Sequence, residues 1–224
     1  MDSFDKQQSR LTALYQAYLH KPSVRSFVEQ VTEFYNEASL IRLTGSLCTE
    51  TRRGTALALG FVGTYHVENT LANNALGRLL KDRDRSVRLI AENSLKLLWS
   101  REGSEEQRQE LHTVMRLVAD QRFGEAVNQA NILLDEYPFY VEARNQRAIA
   151  LFAWKQFEAS IEDSRVVLEL NPYHFGAAIG MGHAFFQLRN KPEALECFHR
   201  ALAINPNLET IRRHLERISQ SRMI

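Results

Sequence analysis

The chain has 224 residues, 44% of them hydrophobic and 25% charged, and its 28 basic residues almost balance 27 acidic ones, for a formal net charge of +1. This composition is typical of a globular protein, and the small net charge excludes a chain-wide electrostatic attraction to nucleic acid or to anionic membranes. Because the first residues lack the apolar core of a signal peptide and no apolar run approaches the roughly 20 residues that span a bilayer, we expect a soluble, cytoplasmic protein with no membrane contact.

The first hundred residues are predicted to be helical. Only 5 prolines and 10 glycines occur in the whole chain, and runs of alternating β-branched residues are few, which favours helices joined by short turns. The apolar spacing predicts one helix over about 4–19 and another over about 23–37. The second follows Pro22 and has Ser23 as its candidate N-cap.

Two further segments of this region are similar to each other. Residues 51–63 and 87–98 superpose with an offset of 36, which places Arg52 on Arg88. The second segment follows a predicted helix and an aspartate-containing turn, and it opens with Val-Arg. This pattern resembles HEAT repeats, which are pairs of helices. The resemblance covers 38–64 and 71–99 and implies a HEAT-like helical domain over 1–101, with the first two helices as a degenerate pair.

A short polar segment separates this region from the rest of the chain. Residues 100–107 are polar, acidic and contain a glycine, a composition that favours a linker. We therefore expect a domain boundary here and a second domain over 107–224.

A 34-residue period dominates the second domain. Three of the five prolines are Pro138, Pro172 and Pro206, and both intervals are 34 residues (172 − 138 and 206 − 172). Each window that ends at one of these prolines contains two amphipathic helical patterns and a short polar turn. In the last window Gly182 fills the small packing position of the first helix and Phe185 the large one, and Phe198 takes one of the packing positions of the second helix.

This pattern resembles the tetratricopeptide repeat, a helix-turn-helix unit of 34 residues. The resemblance implies repeats over 107–140, 141–174 and 175–208 and a capping helix over 209–221. The expected fold class is all-α, an alpha-alpha superhelix, or solenoid, of HEAT-like helix pairs followed by three tetratricopeptide units and the capping helix.

The resemblance also implies a concave groove that is lined mainly by the first helix of each repeat. The candidate partner-binding residues are Leu111, Met115, Asn145, Gln146, Ile149, Phe152, Ile179, His183, Phe186, Arg213 and Arg217. This largely apolar set favours an amphipathic helix or an apolar peptide as partner. Some tetratricopeptide proteins hold a terminal carboxylate with Lys and Asn, but those positions here are Leu111, Met115, Gln146, Gly176 and Gly180. The carboxylate clamp is therefore not expected.

These patterns leave alternatives open. The groove could bind a separate protein, another helix of the same chain or a second copy, so the oligomeric state is undetermined. A different function, binding of the nucleic-acid backbone, would use Arg83, Arg85 and Arg88, although the interleaved Asp82 and Asp84 favour a structural role for this cluster.

Catalysis is not indicated. No nucleotide-binding glycine motif and no zinc-ligand spacing of histidines occurs. We therefore predict a non-catalytic protein-interaction scaffold or adaptor without metal or cofactor.

Overall fold

The computed structural model describes residues 3–66 and 68–220. Over these residues the chain forms α-helices, so the predicted all-helical class is confirmed. The chain divides into two compact units, Met1–Arg101 and Glu102–Ile224, called unit 1 and unit 2 below. The sequence-based ranges also include residues 1, 2, 67 and 221–224. These positions lie outside the described residues.

Unit 1 has a core of leucines. Its helices are α1 (Ser3–His20), α2 (Val24–Phe34), α3 (Glu37–Leu43), α4 (Thr49–Val62), α5 (Leu71–Leu79) and α6 (Arg85–Ser100). Leu11, Leu40, Leu59, Leu76 and Leu95 are completely buried. Their burial supplies the main stabilising free energy of the unit.

The second predicted helix is shorter than expected. It ends at Phe34 rather than at 37, and α3 begins at Glu37. Asn36 is the reason, because its side-chain oxygen accepts a hydrogen bond from the Ser39 backbone amide at 2.9 Å and so caps α3. The predicted cap of α2 is confirmed, since the Ser23 hydroxyl accepts from the Ser26 amide.

The polar segment 100–107 contains the N-cap and the first residues of the first helix of unit 2. The Ser104 hydroxyl accepts from the Gln107 amide, and the Gln107 side chain accepts from the Ser104 amide, which makes a reciprocal capping box. The helices of unit 2 are α7 (Glu105–Ala119), α8 (Phe123–Glu136), α9 (Val141–Ala153), α10 (Phe157–Leu170), α11 (Phe175–Gln187), α12 (Lys191–Ile204) and α13 (Glu209–Gln220).

The 34-residue period of unit 2 is present in the backbone as well as in the sequence. Gln121, Lys155 and Arg189 have φ values of 59°, 65° and 58°, and they are spaced by 34 residues (155 − 121 and 189 − 155). Each follows the first helix of a pair, and the next residue donates its amide to a carbonyl five residues earlier, as Gln156 does to Leu151. This is the hydrogen-bond pattern of a Schellman motif, repeated at each turn.

The last helix covers the end of the core. Ile211 and Ile218 of α13 are buried with Ala194 and Phe198 of α12, and Leu208 and Leu215 pack against them. The expected amphipathic capping helix is therefore present as α13, although the predicted last residue, 221, lies outside the described residues.

Candidate functional site

A cavity of about 100 Å³ opens in unit 2 beside α9, α10 and α11. It is lined by Asn145, Ala148, Ile149, Phe152, Ser160, Ser164, Gly176, Ala177, Gly180 and His183. The structure thus brings together Asn145, Ile149, Phe152 and His183 from the predicted set. We use the term groove for this cavity and the exposed side chains next to it.

Glycines keep the α11 side of the groove open. A methyl group added at Gly180 would have no atom within 4 Å, and one added at Gly176 would contact the His174 ring at 3.4 Å. The absence of side chains here leaves room for a ligand to approach the helix backbone closely.

Large apolar side chains are exposed in and near the groove. Ile149 is 42% exposed and Phe186 41% exposed. Phe152 is half-buried, and its ring lies 5.5 Å from that of Phe157, which supports it. Met115 on α7 is similarly exposed, but it is not among the residues that line the cavity. Covering such side chains would remove apolar surface from water and favour binding.

One predicted groove residue belongs to the core, and another packs partly against it. Leu111 is 3% exposed and packs with Leu133, Leu134 and Tyr140, because it lies on the face of α7 that packs against the neighbouring helices. Ile179 is partly buried against the core cluster that contains Phe198. Leu111 in particular has no surface with which to contact a partner.

The predicted amides Asn145 and Gln146 already have an acceptor within the protein. Their NH₂ groups donate to Oε1 of Glu142 at 3.1 and 2.8 Å. The other oxygen of Glu142 lies 3.4 Å from Nε2 of His174. Burial alone would raise the pKa of Glu142, but the interactions with His174, Gln146 and Asn145 together lower it below its ordinary value. These amides therefore hold a buried carboxylate in place.

Glu102 is a structural residue that the sequence patterns do not reveal. Its carboxylate accepts hydrogen bonds from the backbone amides of Val141 at 3.2 Å and Glu142 at 2.9 Å, and so caps the first turn of α9 from a distant part of the chain. Burial raises the pKa of Glu102 to about 8, an effect that the two hydrogen bonds only partly offset and that the nearby Glu142 charge reinforces.

Aromatic rings form the end of the groove next to α13. The His183 ring centroid lies 5.1 Å from that of Phe198 and 5.3 Å from that of His214, and the Phe186 and His214 centroids are 5.7 Å apart. Burial lowers the pKa of both histidines. The proximity of His214 lowers that of His183 further, and the proximity of Arg217 lowers that of His214. Arg213 and Arg217 are exposed on α13.

The arginine cluster of unit 1 is built around internal ion pairs. Asp82 and Asp84 receive hydrogen bonds from Arg52 and Arg53 of α4, and Arg88 donates to the backbone oxygens of Asp82 and Arg83. Arg83 and Arg85 themselves are exposed. This arrangement agrees with the structural role that the sequence favoured, and nothing supports nucleic-acid binding here.

Among residues 3–66 and 68–220 no group of three or more His, Cys, Asp or Glu side chains is placed to hold a metal ion. No helix within the same ranges has the length and apolar character needed to cross a membrane.

Comparison with known proteins identifies the repeat. The family model of the tetratricopeptide repeat matches residues 177–208, the region in which Gly182 and Phe198 occupy the expected positions. Residues 177–208 are a tetratricopeptide repeat. A TPR repeat-containing protein of Rhizobium etli is 28% identical over 148 residues, which are 64% of this chain and 70% of that protein. The HEAT resemblance of unit 1 stays a prediction.

One solved tetratricopeptide structure has a similar fold, and a second superposes less well. The first TPR of Spaghetti (RPAP3), bound to the HSP90 peptide SRMEEVD, superposes with a TM-score of 0.50 at 24% identity, over 53% of this chain and 94% of that one. The TPR2AB domain of yeast Sti1, in complex with pHSP90, gives a TM-score of 0.46 at 16% identity over 94% of this chain and 83% of that one. At these identities the likeness to the Spaghetti repeat concerns the fold alone.

Proposed function

We propose that the protein is a non-catalytic adaptor that holds an apolar peptide or helix of a partner protein in the groove of unit 2. The observation that carries this proposal is the cavity beside the exposed Ile149 and the open α11 backbone at Gly180. Contiguous exposed apolar surface next to a cavity is typical of a ligand-binding groove.

The rigid packing around the groove supports the proposal. Phe152 is supported by Phe157, and the end of α11 packs against α13 through the ring contacts of His183 and Phe186. A surface that is already ordered loses little conformational entropy on binding, so more of the contact free energy appears as affinity.

The similar structure of the Spaghetti repeat is bound to a peptide, which makes a peptide a reasonable class of partner here. The ligand chemistry is expected to differ, because the positions expected to form a carboxylate clamp carry Leu111, Met115, Gln146, Gly176 and Gly180.

The test is capture of a partner by the tagged full chain from nuclease-treated native lysate, followed by mass spectrometry. We expect a protein that is retained by the wild type and lost with Ile149→Ser, Phe152→Ala or Phe186→Ala. Phe139→Ala is the matched control, since Phe139 is exposed in the α8–α9 turn and lies outside the groove lining. Circular dichroism checks that each variant is folded. Equal capture by the groove variants and the control would contradict the proposal.

A further inference from the structure

The end of the groove beside α13 combines aromatic rings with positive charge. Phe186 and His183 of α11 contact the His214 ring of α13. Arg217 extends this contact, because its Nη2 lies 3.3 Å from Nδ1 of His214. The His214 ring therefore contacts both the exposed Phe186 ring and the Arg217 guanidinium.

Helix α13 has two faces of different character. Ile211 and Ile218 are buried in the core of unit 2, which fixes the rotation of the helix about its axis. Arg213 and Arg217 are four residues apart and so lie on the same side of the helix, and both are exposed. Since His214 contacts the groove and Arg217 contacts His214, this side adjoins the groove.

The positive charge on this side is not neutralised by neighbouring carboxylates. Within residues 3–66 and 68–220, neither Arg213 nor Arg217 forms an ion pair, whereas Arg212 on the same helix pairs with Glu209 at 3.3 Å. The carboxylate of Glu142, which accepts a hydrogen bond from the lining residue Asn145, is also bound by Gln146 and His174. The two histidines add little charge at neutral pH, because burial lowers the pKa of each.

We propose that the partner segment bound in the groove carries an acidic side chain beside its apolar anchors, and that this carboxylate pairs with Arg213 and Arg217. This inference rests on the proposed function and specifies the partner's chemistry. A guanidinium group forms strong, charge-assisted hydrogen bonds with a carboxylate, and complementary charge adds specificity and speeds association.

A side-chain carboxylate fits this site better than a chain terminus. The positions that hold a terminal carboxylate in some tetratricopeptide proteins carry no basic residue here, and one of them, Leu111, is buried in the core. The exposed Arg213 and Arg217 lie on the capping helix α13, at the end of the groove. An internal segment of a partner can reach them as it leaves the apolar surface.

The experiment uses selection of random linear peptides displayed on phage, with the full chain as bait. We expect the selected peptides to contain Asp or Glu next to an apolar residue. A selected peptide is then synthesised with both ends blocked, and its affinity is measured by fluorescence anisotropy. Replacing its acidic residue by the amide should weaken binding about fivefold, and added salt should weaken it as well.

Paired variants locate the contact on the protein. Arg213→Gln with Arg217→Gln should weaken binding of the acidic peptide about fivefold and leave the amide version unaffected. Arg165→Gln with Arg200→Gln is the matched control, because it changes the net charge equally on the second helices of their repeats, α10 and α12. The control should bind like the wild type.

The outcomes separate the two proposals. Suppose that the selected peptides require Phe152 but show no acidic preference, and that Arg213→Gln with Arg217→Gln does not change their binding. This result would overturn the inference and leave the proposed function standing. Loss of binding when the peptide C-terminus is blocked would also overturn it, in favour of a terminal carboxylate. If no selected peptide depends on Phe152, the proposed function fails and the inference fails with it.

Discussion

Gly182 packs directly against the ring of Phe198. A Cβ atom added to Gly182 would lie 2.7 Å from Cε1 of Phe198 and 2.9 Å from Cδ1, closer than such atoms can approach. Phe198 is completely buried, so its ring cannot move away easily. The small residue on α11 and the large one on α12 therefore set the distance between these helices.

We expect Gly182→Ala to destabilise unit 2. The added methyl group would force the Phe198 ring or the helix to shift, at a cost of about 1–3 kcal/mol. Urea unfolding of the full chain followed by circular dichroism measures the change. Combination with Phe198→Leu, which makes room for the methyl group, should recover part of the loss.

Gly180→Ala is the matched control on the same helix. An added Cβ there meets no atom within 4 Å, so the change should stabilise the helix by about 0.5–1 kcal/mol through reduced backbone entropy of the unfolded chain. If both alanine variants lost the same stability, the specific contact with Phe198 would not be the cause.

Lys155→Gly should stabilise the turn between α9 and α10. Lys155 has a φ of 65°, a conformation that glycine adopts without steric cost but that is unfavourable for other residues, so we expect a gain of about 0.5–1 kcal/mol in the free energy of unfolding. Glu158→Gly provides the contrast, because Glu158 lies in α10 and glycine in a helix costs about 1 kcal/mol. Thermal melts of the two variants should shift in opposite directions.

The buried Glu102 predicts a pH dependence of stability. The pKa of this carboxyl is raised to about 8 in the folded chain, whereas in the unfolded chain it is about 4.3. Below the unfolded value both states hold the proton and the stabilisation is complete. As the pH rises towards 8 the unfolded state releases its proton first, so the free energy of unfolding should fall by up to about 5 kcal/mol, at about 1.4 kcal/mol for each unit of pKa difference.

Glu102→Gln tests this origin, because a neutral amide does not titrate. The difference in unfolding free energy between pH 5 and pH 8 should shrink in this variant, as measured by urea unfolding at each pH. Glu106→Gln changes an exposed residue of α7 and should keep the wild-type pH profile. A wild-type profile in Glu102→Gln as well would assign the pH dependence to other groups.

In unit 1 the ion pair between Arg52 and Asp82 should be essential for stability. The side chains are only 7% and 8% exposed, and Arg52 Nε lies 2.7 Å from Asp82 Oδ2. Arg52 also donates to the backbone oxygens of Ser46 and Leu47. Asp82→Asn leaves the buried guanidinium without its counter-charge, at an expected cost of about 3 kcal/mol.

The exposed pair of Arg25 and Glu29 is the comparison. These side chains are 89% and 62% exposed, so Glu29→Gln should change stability by less than about 0.5 kcal/mol. Hydrogen exchange should show faster opening of the α4 amides with Asp82→Asn and unchanged exchange there with Glu29→Gln. Equal effects of the two substitutions would mean that burial does not decide the strength of these pairs.

Much of the helical frame could be predicted from the sequence. The 34-residue spacing of Pro138, Pro172 and Pro206 marks the ends of α8, α10 and α12, because proline cannot continue a helix. The apolar face of α13 follows from the same local periodicity. The sequence pattern paired Gly182 with Phe185, whereas the structure places the Phe198 ring of the next helix against Gly182. The Ser23 cap is predictable for the same reason, since a cap acts within a few residues.

The groove was only partly predictable. Repeat positions identified Ile149, Phe152 and His183, but they also selected Leu111, which lies in the core. A repeat position specifies which way a residue faces within an average repeat. The packing of the neighbouring helices decides whether that residue is covered.

By itself, the sequence determined the fold class, the repeat period and the apolar nature of the groove, since these depend on residue spacing along single helices. Only the tertiary structure decided how buried polar groups are satisfied. Glu102 reaches the amides of Val141 and Glu142 across 39 and 40 residues, and Arg52 reaches Asp82 across 30. Such pairings depend on desolvation and distance between separate helices, which no local pattern in the chain encodes.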